Sequence, residues 1–201
     1  MNWKSIKNRF LAEAGVRQLL IVECCANSRE AKARYYLKDD GKWKLAGRCR
    51  AFIGKNGLGK VREGDAKTPE GELGVLRAFG IKPDPGCSLP YLRVVPGTIA
   101  CDEEGTFYNR IVQTDTLPVT SEEGQRGKSI PGGERMWELS PEYDYGLETD
   151  FNAAGVWPLG SAIFIHCKGA KLWTGGCVAL DKRLMKKILQ TAGSGLKVSI
   201  H

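Results

Sequence analysis

Residues 161–180 read SAIFIHCKGAKLWTGGCVAL, and this stretch decides both the predicted core strand and the candidate chemistry. Residues 162–165 are a short apolar run, which is typical of a strand buried on both faces. His166 is the first polar residue after that run, and residues 167–173 are predicted to form a loop. An apolar segment resumes directly after Cys177. Two strand ends joined by a short loop would bring the imidazole of His166 close to the thiol of Cys177.

A histidine beside a cysteine is the pattern of a thiol nucleophile, because an adjacent imidazolium lowers the pKa of a thiol from about 8.5 toward or below neutrality. We therefore expect Cys177 to be the nucleophile and His166 its base. Thr174, Gly175 and Gly176 lead into the cysteine. Because glycines have no Cβ atom, the backbone at this point could approach a substrate closely and direct its N–H groups at an oxyanion.

Two other interpretations of these residues stay open at this point. Cysteine is among the most buried residue types, and the chain has seven, so Cys177 could belong to the core and His166 could be a hydrogen-bonded histidine at a strand end. His166, Cys167 and Cys177 could also be metal ligands, but the sequence lacks a CxxC pair or a second histidine at ligand spacing. We therefore predict no metal and no other cofactor.

His166 and residues 174–178, TGGCV, together resemble the signature of the L,D-transpeptidase family, also called the YkuD domain. In that family a histidine is followed by a variable loop and then by Ser/Thr-x-Gly-Cys with an aliphatic residue. Residues 64–71, GDAKTPEG, resemble the Thr-Pro-x-Gly turn of the same family. The two motifs occur in the family's order, and the resemblance covers residues 19–200, nearly the whole chain.

The chain departs from the common family pattern at two positions near the cysteine. Gly175 stands where the common form has His or Lys, and Ala179 stands where many members have Arg. The loop between His166 and Cys177 is also short. These differences indicate a divergent branch, and they affect the expected substrate contacts more than the nucleophile.

The resemblance implies a fold as well as a site. We expect a mainly β chain whose residues 18–201 form a β-sandwich similar to the L,D-transpeptidase catalytic domain. Residues 1–17 would be a helical extension, and one further helix would follow Asp181, a suitable N-cap residue. The length of 201 residues fits one domain with a small extension, which we expect to be monomeric.

The activity that the resemblance implies is acyl transfer on peptidoglycan stem peptides. Cys177 would attack the carbonyl of the third residue of the stem, the terminal D-amino acid would leave, and a thioester would remain. The side-chain amine of a second stem would then take the acyl group and form a 3→3 cross-link. His166 would serve as base and then as acid.

Three alternative functions remain open from the sequence. Water in place of the acceptor amine would make the protein an L,D-carboxypeptidase of the same fold. A non-catalytic module that binds the cell wall is the second; the intact His166 and Cys177 argue against it, while Gly175 and Ala179 leave room for it. The third is a reduced cytosolic thiol enzyme, similar to an amidotransferase, that acts on a small molecule.

Composition and charge bear on partners and location. The net charge of +7 fits an anionic partner. Nucleic acid is one such partner, but the sequence has no basic-aromatic motif for it. An anionic cell-wall polymer would be attracted equally well. Residues 1–14 lack the apolar core of a secretion signal, and no apolar run is long enough to span a membrane. Because the implied activity lies outside the cytoplasm, we predict an extracytoplasmic location at the cell wall, although no export signal is visible.

Two further residues are candidate substrate contacts. Residues 106–114 are predicted to form a strand that carries Arg110, whose guanidinium could hold a stem-peptide carboxylate in a bidentate contact, unless it is an ordinary surface arginine. Tyr145, together with Tyr143, could line a groove or simply pack against the protein. Residues 121–134 are polar and are predicted to be a long loop or a lid.

Other segments are predicted strands and turns. The predicted strands are residues 18–25, 33–38, 43–53, 71–79 and 196–200. The Asp-Gly pair at 40–41 predicts a hairpin between the second and third of these. The glycine-rich residues 54–64 lack the Gly-Lys-Ser/Thr ending of a phosphate-binding loop, so a loop between strands is predicted instead.

Overall fold

The computed structural model describes residues 3–25, 28–116 and 132–201. These residues form twelve strands and two α-helices. In chain order the elements are α1 Trp3–Leu11, β1 Gln18–Cys24, β2 Glu30–Asp39, β3 Lys42–Phe52, β4 Gly71–Gly80, β5 Tyr91–Arg93, β6 Thr98–Ala100, β7 Ile111–Gln113, β8 Glu134–Arg135, β9 Gly146–Thr149, β10 Phe164–Cys167, β11 Val178–Leu180, α2 Lys182–Thr191 and β12 Leu196–Ile200. Residues 121–131 of the predicted loop or lid lie outside the described residues.

Eight of the strands form a closed sheet in the order β12-β1-β2-β3-β11-β10-β9-β4, and β4 pairs back onto β12. Closure is possible because β4 is long: its first half pairs with β12, while its second half pairs with β9 and β5. The mainly β class and the helix near each end are therefore confirmed. The two-layer sandwich is not confirmed, because a closed sheet replaces it. Strands β7, β6 and β8 form a separate small sheet.

The β2–β3 hairpin illustrates how local sequence sets the strands. Asp40 and Gly41 have φ values of +47° and +70°, the left-handed conformation that a two-residue turn between right-twisted strands requires. The hairpin prediction is confirmed, with β2 beginning at Glu30, three residues before the predicted start. Along β2, Ala31, Ala33 and Tyr35 point into the core.

Helix α2 supplies much of the main core. Leu184, Met185, Ile188 and Leu189 are buried and pack with residues of β1, β2, β10 and β12. Burying each such side chain contributes about 1.5–3 kcal/mol. Asp181 precedes the helix as predicted, but its carboxylate pairs with Lys168 and makes no capping hydrogen bond.

The N-terminal helix α1 packs on the outside of the sheet. Ile6 and Phe10 are buried against Leu19, Ile21 and Tyr36. The predicted division between residues 17 and 18 stays a prediction. Neither helix in the described part of the chain has the length and apolar character needed to cross a bilayer.

Two predicted strands differ from the observed ones. The predicted strand 106–114 is reduced to Ile111–Gln113, because Asn109 adopts a φ of +59° and its amide is fixed by the carbonyls of Phe151 and Asn152. The predicted strand 162–165 is observed as Phe164–Cys167. His166 therefore lies within the strand rather than after its end.

Candidate functional site

His166 lies on β10 and Cys177 is the residue directly before β11, and both line a cavity with a volume of about 390 Å³. His166 is paired in register with Ala179, and Cys177 lies two residues before Ala179, next to Phe164. Cys177 and Ala179 both line this cavity together with His166, so the imidazole and the thiol face the same space. Within the described ranges, no hydrogen bond joins the two side chains.

The imidazole of His166 is held in one tautomer. Its Nδ1 lies 2.7 Å from the carbonyl oxygen of Cys167, and because a carbonyl can only accept, Nδ1 carries the proton. In the neutral ring, Nε2 is then unprotonated. The ring is buried, with the Tyr143 ring packed edge-on at 5.5 Å, and burial lowers the pKa of His166 below its ordinary 6.5. At neutral pH the residue therefore presents a proton acceptor.

The thiol of Cys177 is protonated in this state. Its Sγ–H donates to the carbonyl of Ala162 at 3.1 Å, and Sγ accepts from the N–H of Phe164 at 3.3 Å. Burial and then the nearby charge of Glu134 raise the pKa of Cys177 to about 12, against the opposing effects of the Phe164 N–H and the ammonium of Lys60. The expected lowering of the thiol pKa is therefore wrong for this state, in which both groups are neutral.

Two threonine hydroxyls fix the backbone of Cys177. The Oγ1 of Thr174 donates to the Cys177 carbonyl at 2.6 Å, and the Oγ1 of Thr68 donates to the same oxygen at 3.3 Å. Thr68 Oγ1 in turn accepts the N–H of Gly54 at 2.8 Å. The residue pair Gly54 and Thr174 also forms a parallel bridge. The upstream segment 64–71 thus meets the cysteine motif through Thr68.

The two glycines before Cys177 have different roles. A Cβ on Gly176 would lie 2.9 Å from the carbonyl oxygen of Lys67 and 3.0 Å from Cδ1 of Ile163, so no side chain fits without displacement. A Cβ on Gly175 would meet nothing within 4 Å. The N–H of Gly176 donates to Thr174 Oγ1 at 3.1 Å and is not directed at the cavity, contrary to the expectation that it binds an oxyanion.

Lys60 is a cavity residue that the sequence analysis missed. Its side chain is buried, and Nζ pairs with Asp65 at 3.1 Å. Burial raises the pKa of Asp65, but three backbone N–H groups and Lys60 outweigh that effect and set it at about 2, so the pair is ionised. Nζ lies 3.7 Å from the position of a Cβ on Gly176, which places a positive charge beside the nucleophile. Its only sequence signal was its position in the glycine-rich residues 54–64.

Carboxyl groups also line this cavity, and the sequence analysis did not select them. They belong to Glu63, Asp102, Glu134 and Glu142. Tyr143 donates its hydroxyl to the Glu134 carboxylate. Burial, Asp102 and Glu63 nevertheless raise the pKa of Glu134, and burial and then Glu63 raise that of Asp102. This negative wall opposes a thiolate in the resting site.

The other two predicted contacts lie elsewhere. Arg110 is exposed and lines a second cavity, of about 430 Å³, and the residues that line both this cavity and the one at the thiol are Ala162 and Ile163. Tyr145 is part of the main core, with Lys182 Nζ 5.9 Å from its ring. Tyr143, not Tyr145, lines the cavity.

In the described ranges, no three His, Cys, Asp or Glu side chains are arranged to hold a metal ion, and all seven cysteines are free.

Comparison with models of known protein families gives no match, and comparison with curated proteins gives none either. Among solved structures, the chain is similar to Bd1075 of Bdellovibrio bacteriovorus, with 15% identity, a TM-score of 0.46 and coverage of 92% of this chain and 48% of that one. It is also similar to the helical cell shape determining protein Pgp2 of Campylobacter jejuni, with 18% identity, a TM-score of 0.44 and coverage of 98% and 55%. The chain spans about half the length of these structures.

Proposed function

We propose that this protein is a cysteine acyltransferase that forms 3→3 cross-links between peptidoglycan stem peptides through a thioester on Cys177. The observation that carries the proposal is that His166, whose Nε2 is unprotonated, lines the same cavity as the Cys177 thiol. The resemblance of residues 174–178 to the L,D-transpeptidase signature supplies the substrate class.

The first half-reaction follows from the two neutral groups. The Cys177 thiol turns from the Ala162 carbonyl toward His166, and Nε2 takes its proton as Sγ bonds to the carbonyl carbon of the third stem residue. The developing oxyanion is stabilised by the ammonium of Lys60 and the backbone N–H of Cys177. When the tetrahedral intermediate collapses, the C–N bond breaks, and the leaving D-amino acid takes the proton from Nε2.

The second half-reaction reverses these roles. An acceptor amine attacks the thioester and gives a proton to Nε2 of His166. The C–S bond breaks, and the proton returns to the sulfur of Cys177. The products are a new amide bond between two stems and the resting thiol. His166 acts through general base and acid catalysis on a neutral thiol, so a preformed ion pair is not part of the proposed mechanism.

Two alternatives differ in what happens at the thioester. With water as the acceptor, the same residues would give an L,D-carboxypeptidase, and the product would be a tripeptide stem without a cross-link. A non-catalytic wall-binding module is favoured by one observation, the hydrogen bond that turns the Cys177 thiol toward Ala162 rather than His166.

A disaccharide-tetrapeptide from peptidoglycan is the substrate that tests the proposal. We expect wild-type protein to release D-alanine and to form dimers with a 3→3 bond. Cys177→Ser and His166→Ala should reduce release at least 1000-fold, because the nucleophile and the base act as one unit. Cys25→Ser, at an exposed cysteine outside the cavity, is the matched control and should act as wild type. Wild-type protein that releases no D-alanine would contradict the proposal and favour the binding module. Release without dimers would favour the carboxypeptidase.

A further inference from the structure

The outer surface of β2 and β3 carries four cations in two cross-strand pairs. Lys32 lies directly opposite Arg50, and Arg34 lies directly opposite Arg48. Ala31 and Ala33, which alternate with Lys32 and Arg34 along β2, are buried. By strand alternation, all four cations therefore lie on the outer face. We call Lys32, Arg34, Arg48 and Arg50 the basic face.

This arrangement is unfavourable for the fold alone, because like charges placed directly opposite each other on a sheet repel. Two carboxylates relieve it in part: Glu23 pairs with Arg34 at 2.8 Å, and Glu30 pairs with Arg50. Lys32 and Arg48 are exposed, and neither has an ion-pair partner among the described residues. Glu23 also lies directly opposite Lys32 on β1, so the four cations and these two carboxylates leave the basic face with two positive charges in excess.

The basic face is also shaped to receive a ligand. Its four cations line a shallow depression of about 740 Å³. At one edge the guanidinium of Arg34 lies 5.0 Å from the ring of Trp3, and Lys7 Nζ lies 5.4 Å from the same ring. The positive surface thus continues onto α1, where cationic groups lie over an aromatic ring.

Strand β3 connects the basic face to the candidate active site. Four residues after Arg50, at about 13 Å along an extended strand, Gly54 pairs with Thr174 of the cysteine motif. The next residue, Lys55, lies with Nζ 5.5 Å from the ring of Trp173, which lines the catalytic cavity. Lys171 approaches that ring to 5.1 Å from the cavity side. Positive groups therefore follow β3 to the cavity that holds His166 and Cys177.

We propose that the basic face binds the carboxylate-bearing peptide stems of polymeric peptidoglycan and holds the polymer beside the catalytic cavity. The choice of polymer rests on the proposed function. Three of the four cations are arginines, whose planar guanidinium groups bind carboxylates in bidentate fashion. Several cations in a row suit a polymer with repeated anions, whereas a single small anion needs only one or two.

The test is co-sedimentation with insoluble peptidoglycan freed of phosphate polymers. All proteins carry Cys177→Ser, so binding is measured without turnover. We expect a double variant with Lys32→Gln and Arg48→Gln to bind peptidoglycan about tenfold more weakly. The control pair Arg183→Gln and Lys186→Gln, at exposed positions on α2, removes the same charge and should change binding less than twofold.

Equal losses for the two pairs, or no loss for either, would overturn the proposal. So would tighter binding to anionic phospholipid vesicles or to a single-stranded oligonucleotide than to peptidoglycan, since the occupant would then carry phosphate. A melting temperature of the Lys32→Gln and Arg48→Gln double variant within about 2 °C of wild type would exclude misfolding as the cause of weaker binding.

A separate readout distinguishes this proposal from the catalytic one. With Cys177 intact, the Lys32→Gln and Arg48→Gln double variant should release D-alanine from a small soluble muropeptide at the wild-type rate. From polymeric peptidoglycan it should release D-alanine more slowly than wild type does. If wild-type protein has no activity but the binding difference persists, the proposed catalysis fails and the basic face stands. If activity is present but the binding difference is absent, the basic face fails and the catalysis stands.

Discussion

The hydroxyl of Thr68 donates a hydrogen bond to the backbone carbonyl of Cys177 across 109 residues of sequence. Because the same hydroxyl accepts the N–H of Gly54, it joins the turn segment 64–71, the end of β3 and the nucleophile. Thr68 is fully buried and thus positions the cysteine without contacting substrate.

Replacing Thr68 with valine should leave the N–H of Gly54 buried without a partner. We expect a loss of about 1–3 kcal/mol in the free energy of unfolding, with a fall in kcat for D-alanine release. Thr68→Ser keeps the hydroxyl and is the matched control, expected to retain most of the turnover. Urea denaturation and steady-state kinetics measure the two effects, and a valine variant with wild-type stability and kcat would contradict this role.

Gly176 and Gly175 should respond differently to the same substitution. Gly176→Ala places a methyl group against Lys67 and Ile163, and we expect a loss of about 1–3 kcal/mol in unfolding free energy. Gly175→Ala adds the same methyl group in open space and should change stability by less than about 0.5 kcal/mol. Denaturant unfolding of both variants measures this difference, and equal losses would contradict the assigned contacts.

The pH dependence of kcat/KM should report a buried neutral base. Burial lowers the pKa of His166 in the folded protein, so the base stays unprotonated as the pH falls to 6.5 and is lost only below that value. Folding stability should decline over the same acidic range, because the unfolded chain binds the proton first. A kcat/KM profile whose acidic limb lies above pH 6.5 would contradict a base of this kind.

Alkylation should not select Cys177 in the resting protein. Burial, reinforced by Glu134, raises the pKa of its thiol to about 12, whereas Cys25 is exposed. With iodoacetamide at pH 7, we expect the first modified peptide to contain Cys25, and Cys177 to react slowly. Peptide mass mapping follows the order, and fastest labelling of Cys177 in the free protein would restore the ion-pair interpretation.

The sequence predicted the elements that local pattern controls. The apolar run before His166 and the apolar residues after Cys177 were enough to predict two adjoining strands that bring these residues to one cavity, and the Asp-Gly pair located the hairpin. Closure of the sheet was not predictable in the same way, because it depends on pairing between β4 and β12, which are far apart in the chain.

The misassigned contacts have local causes that periodicity does not reveal. Tyr143 and Tyr145 are two residues apart, so regular strand alternation would place both rings on one face. The 3₁₀ turn at Glu142–Asp144 breaks that alternation, so the Tyr143 ring enters the cavity and the Tyr145 ring enters the core. Arg110 follows the left-handed Asn109, so the strand begins only at Ile111 and the arginine lines a different cavity.

The largest error in the predicted site was the expected lowering of the Cys177 pKa, because the thiol is protonated in this structure. It depends on burial and on Glu134, a residue distant in sequence that enters the cavity through β8 and the small sheet. The spacing between a histidine and a cysteine carries no information about such a neighbour.

The central claim is that Cys177 becomes acylated by a stem peptide, and intact-protein mass spectrometry tests it most directly. Protein mixed with a disaccharide-tetrapeptide and quenched in acid should gain the mass of the substrate less D-alanine, with the added mass on the peptide that contains Cys177. Treatment with hydroxylamine should remove the adduct, as expected for a thioester. The control Cys25→Ser should form the same adduct, and Cys177→Ser should form none. An adduct on another residue, or D-alanine release by folded Cys177→Ser protein at the wild-type rate, would contradict the account.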